Sequence, residues 1–138
     1  MTVPTASDLL ANPVVQEALA QAWVDSLPDD PRLRHEEGGW IYMDAVTGQI
    51  SLIRAPVGFE STINLSNPPP LAGSLIVGVF HTHPNPAAEG WTAGPSASDL
   101  RIDARLGVPD LIRADDGTYV SGPVSRRGGL VGNPGYPD

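Results

Sequence analysis

The chain has 138 residues, 41% of them hydrophobic, and a formal net charge of −8 at pH 7. This length and composition are typical of one small domain with a modest core, and the acidic balance disfavours binding to nucleic acid. Cysteine is absent from the chain, which excludes disulfides and thiolate metal sites and leaves His and carboxylate as metal ligands.

The sequence contains no apolar run near the ~20 residues that a membrane helix needs. Its first residues also lack the basic region and the apolar stretch of a signal peptide. We therefore expect a cytoplasmic protein without a membrane partner.

A helix is the first predicted element. Asn12 and Pro13 form a favourable helix start, and Pro28 ends the run. Between them, apolar residues recur on one helical face: Val15, Leu19, Ala22 and Trp23.

Extended segments follow. Residues 40–43 and 50–53 flank a turn with Gly48 and predict a β-hairpin, and a further short strand is expected over 62–65. Residues 75–80 are apolar on both faces, which predicts a central strand covered on both sides.

The remaining elements are a helix, a second hairpin and a tail. Residues 96–106 predict a helix that offers Leu100, Ala104 and Leu106 for packing, and residues 111–114 and 119–124 predict a hairpin. We expect one domain over 1–125 and a flexible tail over 126–138, with an α/β fold of a mixed central sheet flanked by helices.

The richest chemistry lies in His81-Thr82-His83-Pro84 and Ser96-Ala97-Ser98-Asp99. Side chains alternate across a strand, so His81 and His83 project from one face, and Ser96 and Asp99 share a face at the start of the next helix. Asp99 can complete a His-His-carboxylate set with an open fourth position, which is typical of catalytic zinc. The sequence therefore predicts one Zn²⁺ per chain. Ser96 is the natural hydroxyl donor to a developing oxyanion, or simply the cap of its helix.

These two motifs resemble the signature of the JAMM (MPN+, JAB) zinc metalloproteases, in which a Glu-x-x-Gly lies upstream. Here Glu36-Glu37-Gly38-Gly39 matches that segment. The resemblance implies a JAMM/cytidine-deaminase-like fold, His81, His83 and Asp99 as zinc ligands, Glu36 as general acid/base and Ser96 at the oxyanion. It also implies an isopeptidase or peptidase acting at the C-terminus of a ubiquitin-like modifier, with that modifier or its conjugates as partner.

Several assignments remain open at this stage. Glu37 competes with Glu36 for the catalytic position, while the neighbouring His35 is expected in solvent and Asp103 on the surface. The twelve residues between His83 and Ser96 exceed the spacing common in the family and suggest a substrate-contacting flap. Within them, Trp91 is either a substrate-recognition residue or a plug on the local core.

Two other functions compete with deconjugation. One is a JAMM-type peptidase in cell-wall or phage-tail processing, or in an effector role. The other is a non-catalytic MPN-like binding module, although such pseudo-enzymes typically lose ligands and this chain keeps every one.

Overall fold

In the part of the chain that the structure describes, five β-strands and three α-helices form the fold. The computed structural model describes residues 2–127. Its elements in chain order are α1 (Ala6–Ala11), α2 (Pro13–Asp25), β1 (Gly38–Asp44), β2 (Ile50–Arg54), β3 (Ser74–His83), α3 (Ala97–Leu106), β4 (Asp110–Ala114) and β5 (Gly117–Ser121). A single 3-10 turn, Ala87–Glu89, lies between β3 and α3.

The strands form one sheet in the order β2-β1-β3-β4-β5. Only β3 and β4 run parallel, and every other neighbouring pair is antiparallel. The prediction of a mixed α/β fold is therefore confirmed, as is the central position of the strand that carries the histidines. The β3-α3-β4 crossover brings the end of β3 and the start of α3 to the same edge, where open α/β sheets commonly bind ligands.

An irregularity in β3 decides which face each of its residues occupies. Ile41 pairs with Gly78 and Tyr42 with Ile76, so Val77 is an extra residue opposite β1. Such a bulge changes the alternation of side chains along a strand. Phe80 accordingly joins the cluster that packs against α1 and α2, whereas Val79 packs in the second cluster on the opposite face. The histidines that follow share the face of Val79.

Helices cover both faces of the sheet. Val15, Leu19 and Ala22 of α2 are buried against the first cluster, as their spacing predicts. On the other face, Ile102 and Leu106 of α3 pack against the second cluster. The prediction was wrong for Leu100 and Ala104, which are exposed.

Two elements differ from the sequence prediction. The helix α1 was not predicted, because it is only six residues long and depends on a capping box between Thr5 and Asp8. The strand expected over 62–65 does not form. Leu65 is buried there, but its carbonyl accepts a hydrogen bond from the indole Nε1 of Trp40 at 3.0 Å instead of joining a ladder.

The end of the described chain is bound to the domain. Arg126 is buried and its Nη1 donates to the carbonyl of Ile76 at 3.2 Å, while the amide of Arg127 donates to the carbonyl of Gly107 at 3.0 Å. These two residues of the predicted flexible tail thus contact the fold, and residues 128–138 lie outside the described residues. Within residues 2–127, no helix combines the length and apolarity needed to cross a membrane.

Candidate metal centre

The two histidines at the end of β3 point at each other. The Nε2 atoms of His81 and His83 lie 3.1 Å apart, and both side chains are buried. Strand geometry gives residues two apart the same face, so this juxtaposition follows directly from the His-x-His spacing. The two imidazoles thus present one nitrogen each to a single point.

In each ring, the hydrogen bond made by Nδ1 fixes the orientation in which Nε2 faces the other histidine. Nδ1 of His83 is 3.1 Å from the carbonyl oxygen of Ala93, and Nδ1 of His81 is 3.1 Å from Oδ1 of Asp110. Both partners are acceptors, so each Nδ1 carries a hydrogen and each Nε2 of a neutral ring presents a lone pair. Outer partners of this kind commonly orient metal-binding histidines.

Asp99 adds two more acceptor atoms. Its Oδ1 lies 3.3 Å from Nε2 of His81, and its Oδ2 lies 3.1 Å from Nε2 of His83. A capping box at the start of α3 positions this carboxylate: the amide of Ser96 donates to Oδ2 at 2.9 Å, and the amide of Asp99 donates to Oγ of Ser96 at 3.1 Å. Ser96 is therefore the helix cap, and its own hydroxyl hydrogen remains available to a ligand.

Glu36, two residues before the start of β1, is the fourth member of the cluster. Its Oε2 lies 4.0 Å from Nε2 of His83, and ligand atoms of Glu36, His81 and His83 all lie within 4.8 Å of one another. Glu36 also forms a pair of backbone hydrogen bonds with the neighbouring loop: its amide donates to the carbonyl of Phe59 at 2.8 Å, and its carbonyl accepts from Gly58 at 2.9 Å. These bonds hold the buried carboxyl at the site.

Glu37 points away from the cluster. Its Oε1 lies 2.6 Å from Nη2 of Arg54, and its Oε2 lies 2.6 Å from Nε2 of His35. Of the two candidates, the structure therefore brings Glu36 to the histidines. His35, expected in solvent, is instead partly buried, with its side chain 22% exposed and its Nε2 in contact with Glu37.

Gly38 explains why β1 can pass so close to the histidine strand. A Cβ added at Gly38 would lie 2.3 Å from the carbonyl oxygen of Phe80 and 2.8 Å from the Cβ of His81. Real Cβ atoms do not approach other atoms this closely. The glycine after the two glutamates therefore sets the separation between Glu36 and His83.

Thr82, between the two histidines, aligns β3 with the Glu36 segment from the opposite face. Its Oγ1 accepts from the amide of Glu37 at 3.0 Å and lies 2.6 Å from Oγ of Ser26, whose hydroxyl donates to the carbonyl of Ala22 at 2.7 Å. All four of these residues are buried. A chain of hydrogen bonds thus links the end of α2 and the residue before β1 to β3.

We expect Thr82→Val to lower the free energy of unfolding by about 2 kcal/mol, because it removes the acceptor of the buried Glu37 amide and one of the two partners of the buried Ser26 hydroxyl. Urea unfolding of the metal-free protein measures this effect. Thr118→Val is the matched control, since Thr118 is exposed on β5, and it should change stability by less than about 0.5 kcal/mol. Equal effects of the two substitutions would contradict the structural role of Thr82.

Burial and neighbouring charged groups shift the pKa values of three residues in the cluster. Burial raises the pKa of Glu36 to about 7, against the opposing effect of the histidines. Burial alone would lower the pKa of His81, but Asp110 and Asp99 outweigh it and raise that pKa well above its usual value. Burial would likewise raise the pKa of Asp99, but its hydrogen bonds with both histidines bring it well below its ordinary range.

The donor set fits a metal ion. Two imidazole nitrogens and a carboxylate converge as acceptors, so one bound cation would satisfy all of them. Ligands at about 2.0–2.1 Å from a tetrahedral Zn²⁺ lie about 3.3 Å apart, and the observed separations are 3.1, 3.1 and 3.3 Å. A buried group containing His81, His83 and Glu36 could therefore hold a metal ion, and Asp99 lies closer to both histidines than Glu36 does to His83.

A cleft of about 170 Å³ opens over Glu36 and His83, and its rim includes Ser61, Asn85, Trp91 and Ser96. Trp91 is 38% exposed, so it lies at the mouth of the cleft and is not sealed in the core. Two contacts hold the loop that carries it: Arg34 forms a bidentate ion pair with Glu89 at 3.1 and 3.2 Å, and Asn85 donates to the carbonyl of Glu60 at 2.8 Å. The long segment between His83 and Ser96 is thus fixed beside the site.

Sequence reasoning missed two acidic residues near the centre. Asp103, expected on the surface, is 1% exposed and accepts a hydrogen bond from Oγ of Ser121 at 2.5 Å. Its position four residues after Asp99 was the available signal, because such residues share a helical face. Asp110, which orients His81, follows a helix end and had no pattern to distinguish it.

Comparison of the whole chain with family models, curated proteins and solved structures finds no match.

We expect the metal-free protein to lose stability as the pH rises from about 5 to 8. Glu36 and Asp103 have folded-state pKa values raised from 4.5 to about 7 and from 3.8 to about 8. Within those ranges the folded state binds more protons than the unfolded chain, which costs up to about 1.4 kcal/mol per pH unit for each group. The raised pKa of His81 acts in the same direction above pH 6.5.

Urea unfolding after chelator treatment, repeated across this pH range, measures the effect. The variant Asp103→Asn should show a shallower decline, because it removes one of the titrating groups. Stability that increases steadily towards pH 8 would contradict the assignment of these protons to the folded state.

Proposed function

We propose that this protein is a zinc-dependent peptidase of the JAMM type, with the JAMM/cytidine-deaminase-like fold. Its substrate is the peptide or isopeptide bond at the C-terminus of a ubiquitin-like modifier. The observation that carries the proposal is the convergence of His81, His83 and Asp99 as acceptors, with the carboxyl of Glu36 next to them in a cleft. The substrate class rests on the resemblance of the two sequence motifs and Glu36 to that family.

His81, His83 and Asp99 would hold the ion, each through an atom already directed at the others. A Zn²⁺ ion at such a site supplies Lewis acidity and makes water a usable nucleophile near neutral pH. Oε2 of Glu36 lies 4.0 Å from Nε2 of His83, farther than Asp99 lies from either histidine. This difference supports proton transfer, and not metal ligation, as the role of Glu36.

Glu36 accepts a proton as the oxygen of water bonds to the carbonyl carbon. The same carboxyl then passes that proton to the nitrogen of the leaving amine as the carbon–nitrogen bond breaks, yielding a carboxylic acid and an amine. A raised pKa near 7 suits a group that must both accept and donate. The hydroxyl of Ser96, on the rim of the same cleft, donates to the negative oxygen that forms on the carbonyl.

The test is hydrolysis with a defined set of substrates. We expect the zinc-loaded protein to release a fluorogenic amide from the C-terminus of ubiquitin, or to cleave ubiquitin joined by an isopeptide bond to a lysine peptide. Removal of the metal by a chelator should abolish turnover, and zinc should restore it.

Other outcomes point to other functions. Cleavage of cell-wall stem peptides but of neither ubiquitin substrate would favour the cell-wall peptidase alternative. Stoichiometric zinc without hydrolysis of any substrate would favour a binding module. A protein that binds no zinc would overturn the proposal at its first step.

A further inference from the structure

A second pair of carboxyl groups lies behind His81, away from the cleft. Asp103 of α3 and Asp110 at the start of β4 are each 1% exposed. Asp110 accepts from Nδ1 of His81. Ser121, whose hydroxyl donates to Asp103, is the cross-strand partner of Asp110, so the two carboxyl groups are neighbours on one face of the sheet. Two neighbouring buried carboxyl groups repel each other strongly when both are ionised, which favours a proton on one of them.

The hydrogen bonds around the pair indicate which one. Asp110 is engaged as an acceptor by the ring of His81, whereas Asp103 has only one donor: Oγ of Ser121 donates to its Oδ2. The other oxygen of Asp103, Oδ1, is buried without a partner among the described residues. An ionised Asp103 would leave its buried Oδ1 without a hydrogen-bond donor, but a protonated Asp103 can donate to Asp110.

The surroundings of Asp103 enforce its direction. Gly122 gives the carboxyl room, because a Cβ added there would make tight contacts of 3.0 Å with the Cβ of Asp103 and 3.3 Å with its Cγ. Burial, together with the neighbouring Asp110, raises the pKa of Asp103 to about 8. Geometry and burial both favour the neutral acid.

We propose that Asp103 is a positioning residue of the metal centre: it carries a hydrogen that it donates to Asp110, and Asp110 holds His81 with Nε2 directed at the metal site. The inference rests on the proposed metal centre. A neutral Asp103 also keeps a second negative charge away from His81, where it would strengthen proton binding at Nε2 in competition with the metal.

Two substitutions separate the hydrogen from the shape of the side chain. Asp103→Asn keeps the shape and an N–H donor towards Asp110, whereas Asp103→Leu keeps the size and removes the donor. Zn²⁺ affinity, measured by competition with a chromophoric chelator, should stay close to wild type for the Asn variant. We expect it to fall about 10- to 100-fold for the Leu variant, the usual cost of losing a supporting group.

Wild-type affinity in the Leu variant would overturn the proposal, as would an equal loss in both variants. If the Leu variant does not fold, Asp103→Ala is compared with Asp103→Asn in the same way.

A metal-free measurement keeps this test separate from the proposed function: the infrared band of a protonated carboxylic acid at pH 7 should weaken in Asp103→Asn relative to wild type. An unchanged band overturns the assignment of the proton, whereas a wild-type protein that binds no zinc defeats the proposed function itself.

Discussion

The Glu36→Gln variant is expected to hydrolyse its substrate about 10²–10⁴-fold more slowly than the wild type, while it still binds one zinc ion. Glutamine keeps the shape of the side chain and its capacity to form hydrogen bonds. It cannot accept a proton from water or return it to the amine. The measurement is kcat with the fluorogenic ubiquitin amide, together with zinc content.

Glu37→Gln is the matched control for this prediction. It makes the same chemical change one residue along the chain, on a side chain that contacts Arg54 and His35 and not the cluster. We expect it to leave the rate within a few-fold of wild type. If Glu36→Gln instead loses zinc, then Glu36 is a ligand, and if its rate is unaltered, the proton acceptor lies elsewhere.

The pair Glu36 and Glu37 also marks a limit of sequence reasoning. Adjacent residues in an extended segment project to opposite sides, so the sequence could predict that one of the two faces the site but not which. The answer depends on Arg54 and His35, which draw Glu37 the other way. That arrangement depends on the pairing of β1 with β2, a tertiary fact with no local pattern.

Strands and helices could be predicted where burial produces a regular pattern of apolar residues along the sequence. The apolar run of β3 and the spacing in α2 are such cases. The strand expected over 62–65 failed because its apolar residues pack on the core without pairing with a neighbouring strand, and α1 was missed because capping, not periodicity, defines it. The proposed metal ligands were the easiest part to predict, since two short motifs place them on one strand and one helix start.

The groups that support the ligands were the hardest part to predict. Asp99 and Asp103 share a helical face, so the direction of Asp99 towards the sheet already implied burial of Asp103. The sequence carried that signal, and the expectation of a surface residue overlooked it. Asp110, by contrast, acquires its role only from the parallel register of β3 and β4, which pairs it with Val79, two residues before His81.

The largest effect on metal binding is expected for His83→Ala. This substitution removes one of the three proposed ligands and also the contact between Nδ1 and the carbonyl of Ala93 that orients the ring. We expect Zn²⁺ affinity to fall by more than the about 10- to 100-fold that loss of a supporting group costs. Competition with a chelator measures the affinity, and thermal unfolding with and without zinc measures its consequence.

The third histidine of the chain provides the control for this substitution. His35 contacts Glu37 and the carbonyl of Leu33 and lies outside the cluster, so His35→Ala should bind zinc like the wild type. Zinc at 100 times its dissociation constant stabilises a folded protein by about 2.7 kcal/mol, and this gain should persist in His35→Ala and vanish in His83→Ala. Loss of the gain in both variants would mean that His35 also contributes to zinc binding, whereas its survival in His83→Ala would place the metal away from the end of β3.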